Sequence, residues 1–120
     1  MTAEEKRVGR IYFWAAVYGI PVLALAYFQP VPDPWHLTHL SFVGVALVFQ
    51  GVFLVIARDP RRFEPLLPAT VFEKLCFGVP AVAFYANGQV ELVAAILGGI
   101  DLMFAALFLV ASRRLARTPA

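Results

Sequence analysis

The chain has 120 residues, 61% of them hydrophobic and 15% charged, with a formal net charge of +2 and a mean hydropathy of +0.76. Soluble domains are about 45–50% apolar, and a small particle leaves much of its chain at the surface. The composition therefore excludes a water-soluble globular domain and calls for lipid, and the length suits a single domain over residues 1–120.

The chain opens with Lys6, Arg7 and Arg10, ahead of the apolar run "IYFWAAVYGIPVLALAYF", Ile11 to Phe28. A basic start, an apolar stretch and "ALA" at Ala24–Ala26 also resemble a secretory leader with its cleavage site. The acids Glu4 and Glu5 in that start, and a similarity between the two halves of the chain, favour a retained span. "QPVPDPWH" follows, whose three prolines end any helix. The second run is "LTHLSFVGVALVFQGVFLVIA", Leu37 to Ala57. "RDPRRFEPLLP" then carries Arg58, Arg61 and Arg62 with three more prolines. The third run is "ATVFEKLCFGVPAVAFYA", Ala69 to Ala86, and "NGQ" after it signals a tight turn. The fourth is "VELVAAILGGIDLMFAALFLVAS", Val90 to Ser112, followed by Arg113, Arg114 and Arg117.

A helix needs roughly 20 residues to cross the hydrocarbon core, and all four runs approach that. They lack two-residue alternation and are about twice the length of a barrel strand, so helices are expected. The fold class is thus an all-α integral membrane protein, a four-transmembrane-helix bundle. Lys and Arg are absent from the loops after spans one and three. The positive-inside rule places both termini and the middle loop in the cytoplasm, with the inner membrane as location and the bilayer as first partner.

The halves align at an offset of 59: Phe13 meets Phe72, Gly19 meets Gly78 and Pro21 meets Pro80. A true duplication would give two parallel-repeat hairpins, kinked by Pro21 and Pro80 at one depth.

Polar groups inside the runs are the candidate site. Asp101 lies at the centre of span four, where an acid costs roughly 2.5–3.5 kcal/mol to insert. Gly98 and Ala105 flank it on one helix face, and Gly98 and Gly99 are expected at a helix contact. Gln50, Tyr18, Glu73 and Lys74 share the depth range between the centre and the basic side. Glu73 and Lys74 have two readings. In the first, "TVFE" is a capping box from Thr70 to Glu73 and Lys74 snorkels to the interface. In the second, the residues face inward. The expectation combines them: Glu73 caps its helix, while Lys74 turns toward Asp101. With Glu73, Lys74 and Asp101 all inside, the cluster carries one surplus negative charge, which a proton kept by an acid or an arginine joining the cluster must cancel.

His36 and His39 form H-x-x-H at the mouth of span two, a weak metal pair with no second pair elsewhere. Arg58, Arg61 and Arg62 suit topology or anionic headgroups. Cys76, the one cysteine, excludes an internal disulfide and is expected as a small buried hydrophobe. No phosphate loop, no nucleophile with a base and no basic aromatic surface for nucleic acid is present, so no catalytic set and no cofactor is assigned.

"RDPRRFEPLLPATVFEK", with an acid in the last span as in "GGID", resembles the small four-span bacterial membrane proteins grouped as DoxX-like. That resemblance implies an accessory or assembly subunit of a membrane complex, in some members linked to quinone-dependent oxidation. It implies another membrane protein or a second copy as partner and no shared catalytic residues. The alternative is a protein that handles a small molecule, a quinone, a proton or an ion at the Asp101 cluster. A polar cavity reaching Asp101 from the cytoplasm would favour that alternative, and a solid bundle would favour the accessory subunit.

Overall fold

The structure is a computed structural model that describes residues 1–119. It contains four long helices: α1 (Ala3–Tyr27), α2 (His36–Arg58), α3 (Leu67–Ala86) and α4 (Leu92–Arg117). A 3₁₀ turn over Glu64–Leu66 leads into α3, and no strand occurs among the described residues. All four helices are long and apolar enough to cross a membrane, and the chain is a multi-pass membrane protein. Large apolar side chains such as Trp14, Val48, Phe72 and Val110 are exposed on the outside of the bundle. In lipid such exposure has no cost, because the solvent is itself apolar.

Sequential helices pair. Contact is most extensive between α3 and α4, then between α1 and α2, and α1 against α4 closes the bundle. By contrast, α2 and α3 barely meet. Two hairpins of the same orientation result, so Lys6, Arg10, Arg58, Arg62, Arg113 and Arg114 gather at one end, here called the basic end. The proline-rich loop and the "NGQ" turn form the opposite end. The aligned prolines hold equivalent places: Pro21 and Pro80 both lie inside helices and both face outward.

Lipid tails are as apolar as leucine, so helices in a membrane associate through close packing and polar contacts. Small residues supply the close packing between α3 and α4. A Cβ added to Gly98 would stand 2.7 Å from the Ala81 Cβ and 3.3 Å from the Gly78 carbonyl oxygen. Gly99 differs from the expectation. Nothing lies within 4 Å of its Cβ position, because one residue of helix turns it about 100° away from Gly98.

The solid core occupies the basic half. Val8, Tyr12, Ala15, Ala16, Phe53, Ile56, Leu67, Phe108, Ala111 and Leu115 bury one another there. Tyr12 stacks on Phe108 at 4.1 Å between ring centroids and meets Phe53 edge-on at 5.7 Å. Its hydroxyl lies 2.6 Å from Thr70 Oγ1. Thr70 already donates its own proton to the Leu67 carbonyl at 2.7 Å, so Tyr12 is the donor to Thr70.

That arrangement corrects the capping expectation. Helix α3 starts at Leu67, three residues before Thr70, with no side-chain cap. The 3₁₀ turn delivers the chain early, and a proline fits in the first turn, where no backbone N–H is needed. Thr70 is therefore buried inside the helix and bonds inward to α1. The capping box the chain does contain is at its start: Thr2 Oγ1 accepts from the Glu5 N–H at 3.2 Å, and the Glu5 carboxylate accepts from the Thr2 N–H at 2.6 Å.

Arg61 is the other correction at the basic end. It is not an open headgroup ligand. Its guanidinium donates to the carbonyls of Leu115 at 3.0 Å and Thr118 at 2.8 Å, and lies 3.5 Å from Glu5 Oε1 and 3.8 Å from Glu64 Oε2. The last carbonyls of a helix lack partners in the helix itself, and Arg61 supplies them while tying the middle loop to α1 and α4. Arg58 and Arg62 remain exposed. Arg61→Gln is expected to cost about 2 kcal/mol, the range for hydrogen bonds from a charged group, and Arg62→Gln less than about 0.5 kcal/mol. Thermal melting of both variants in detergent checks the contrast.

Candidate functional site: a cavity above a buried charge cluster

Each span brings one or two polar residues to the middle of the bundle. Lys74 of α3 is 3% exposed. Its Nζ lies 3.5 Å from Asp101 Oδ1 of α4 and 3.9 Å from Glu73 Oε2 beside it. Two rings cradle the ammonium, Phe53 at 5.2 Å and Phe104 at 5.7 Å from their centroids, as a cation over aromatic faces prefers. Lys74 thus turns inward and meets Asp101 directly. Glu73 also turns toward Lys74 and does not cap α3. The geometry places two carboxylates around one ammonium, the arrangement with one surplus negative charge.

Gln50 of α2 is fully buried. Its amide nitrogen donates to the Ala46 carbonyl one turn away, at 3.0 Å. Its Oε1 has no hydrogen-bond partner, and neither has Glu73 Oε2. Gln50 fits only because α1 carries Gly19 opposite it: a Cβ there would overlap the Gln50 amide.

These residues form one end of a cavity of about 360 Å³. Tyr18, Gly19, Gln50, Glu73, Lys74 and Asp101 line its polar end. Apolar walls of Val22, Leu23, Phe42, Val43, Phe77 and Leu97 continue away from the basic end as far as Ala26 and His39. The volume lies within the range of small-molecule sites, about 300–1,000 Å³. The interior of the bundle is therefore solid in its basic half, where the hollow of about 570 Å³ between Lys6, Arg10 and Arg58 is an open surface groove, and hollow in the other. The side on which sequence reasoning sought an opening is closed by Tyr12, Phe53 and Phe108, and the hollow half is the one beyond Asp101.

The sparse α2–α3 seam adds a second feature. An outer groove of about 340 Å³ runs along it, lined by Phe42, Ala46, Phe49, Phe72, Glu73 and Cys76. Phe42, Ala46 and Glu73 belong to both groove and cavity, so the lipid-facing surface borders the cavity at this seam. Cys76 is exposed on the groove side. It does not pack in the core as expected, because its helix face turns toward the open seam.

The histidines separate. His36 is exposed, while His39 Nε2 lies 2.7 Å from the Ala26 carbonyl. A carbonyl only accepts, so that nitrogen carries the proton and donates, pinning α2 to the end of α1 at the cavity's far edge. Among the described residues no group of three or more His, Cys, Asp or Glu could hold a metal ion. Neither the cavity nor the Gln50–Gly19 fit was read from sequence. The aligned Gly19 and Gly78 were its one visible trace.

No family of known proteins matches this chain, and no curated protein or solved structure matches it.

Proposed function

We propose that the protein binds a small molecule with an apolar body inside the membrane, in the cavity between its two hairpins. The observation that carries this reading is the juxtaposition of a ligand-sized space with a buried, incompletely satisfied polar end. A purely structural accessory subunit would have no use for such a space. Filling it with side chains would improve packing, since a void forfeits contacts for its whole lining. The seam between α2 and α3 offers a route from lipid.

Calorimetric titration of the protein in nanodiscs with 1-octanol tests the reading. Saturable, equimolar heat is expected, and it should vanish in Ala46→Phe, which fills the cavity. Identical heats for both proteins would leave only partition into lipid and would overturn the proposal.

Orientation belongs to the same proposal. The gathering of the basic residues at one end supports a cytoplasmic basic end in an inner membrane. The hollow half then lies in the outer leaflet. Reporter fusions at Pro32 and Gly88 are expected to be periplasmic and one at Phe63 cytoplasmic. A cytoplasmic reporter at Pro32 would contradict it.

A further inference from the structure

The polar end of the cavity holds an unbalanced set of ionisable groups. Two of its buried oxygens, Gln50 Oε1 and Glu73 Oε2, accept no hydrogen bond from the described residues, and the second is held only by its ion pair with Lys74 at 3.9 Å. Its one strong donor, Lys74 Nζ, is already flanked by Asp101 and Glu73 and enclosed by the rings of Phe53 and Phe104. With both carboxyls ionised, one ammonium against two carboxylates leaves one surplus negative charge. Burying it uncompensated is costly.

An anionic head would double that surplus, and the donors left at the polar end, the Tyr18 hydroxyl and the second Gln50 N–H, are neutral. A neutral acceptor such as a ketone would leave both orphan oxygens as they are. A proton on one carboxyl would cancel the charge, but it would fill none of the space and would not reach Gln50. A head that both carries positive charge and donates hydrogen bonds answers all three features together.

We infer that the ligand is a monocationic amphiphile: a primary ammonium on an apolar body, its head against Glu73 and Gln50 and its body along Val22, Val43 and Leu97. This rests on the cavity-binding reading above and adds the chemical class of the ligand. Primary ammonium is favoured over quaternary because the orphan oxygens need N–H donors. A zwitterionic lipid brings the same ammonium but adds a phosphate.

The test uses heads of different charge on one body. Octylammonium, octyltrimethylammonium, 1-octanol and octanoate are titrated calorimetrically into the protein in phosphatidylcholine nanodiscs. Octylammonium is expected to bind at least about tenfold more tightly than 1-octanol, the effect of one charge-assisted hydrogen bond. Octyltrimethylammonium should fall between them, and octanoate should be weakest. In Glu73→Gln the advantage of octylammonium over 1-octanol should shrink about tenfold, and a cooperative melting transition in detergent shows that the variant is folded.

Equal affinity for all four heads, or tightest binding of octanoate, overturns the inference and leaves the cavity reading standing. Absence of saturable binding by any of them, 1-octanol included, overturns both. Nanodiscs containing phosphatidylethanolamine separate the sources of the ammonium. Loss of the octylammonium heat there assigns the site to the lipid headgroup's amine, retention assigns it to a free amine, and both support an ammonium site.

Discussion

Gly98→Leu is expected to abolish most of the folded yield in detergent, with a cost of about 3 kcal/mol or more, at the upper end for overpacking a close contact. Even a Cβ at Gly98 falls 2.7 Å from the Ala81 Cβ, and that neighbour is a methyl held on a helix backbone that cannot swing aside. The opposing residue has no slack either: a Cβ at Gly78 would stand 2.9 Å from Leu102 and 3.0 Å from the Gly98 carbonyl oxygen. To admit a leucine, α3 and α4 must move apart along the most extensive contact in the bundle. Gly99→Leu is the control. Its Cβ meets nothing within 4 Å, so it should retain wild-type yield and gain slightly in melting temperature, since glycine costs about 1 kcal/mol in a helix interior. Equal damage from the two substitutions would mean that chain flexibility, not the crossing, sets the effect.

Lys74→Met is the second large loss expected, about 3–5 kcal/mol, the cost of removing one partner from a buried ion pair. It would leave Glu73 and Asp101 facing each other without the ammonium that sits 3.9 Å and 3.5 Å from them. Asp101→Asn should behave differently. The asparagine oxygen still accepts from Lys74, Glu73 still balances the ammonium, and the surplus charge is gone, so its cost should be below about 1 kcal/mol. Combining Asp101→Asn with Lys74→Met should recover part of the Lys74→Met loss. Melting of the three variants in detergent reads the cycle. Strict additivity would show that Lys74 and Asp101 do not interact.

How much of this was legible depends on which physical signal each feature leaves. The four helices were readable because crossing lipid demands long apolar runs, and their ends moved by only a few residues at most places. The start of α3 was misplaced because "TVFE" satisfies a local capping pattern, whereas Leu67, Pro68 and the turn before them set the true start. Thr70 then serves Tyr12, a partner 58 residues away, which no local pattern encodes. Lys74 and Asp101 could be paired from depth and charge. Glu73 was assigned to the wrong job because adjacent helical residues point about 100° apart. Two side chains that flank an interior direction can still both reach one point. Arg61 was grouped with its exposed neighbours because sequence shows a run of charges, not which member lies over a helix C-terminus. The cavity left almost no trace, because a void is an absence of side chains and its walls read like any other apolar stretch.

Photolabelling decides whether the hollow half of the bundle is a binding site. A short alkyl ammonium bearing a diazirine near its tail is irradiated with the protein in nanodiscs, and the adducts are mapped by mass spectrometry. Adducts are expected on Val22, Leu23, Val43 and Leu97, which wall the cavity, with their suppression in Ala46→Phe. Adducts confined to lipid-facing residues such as Trp14, Val48 and Phe72, unchanged by Ala46→Phe, would contradict it.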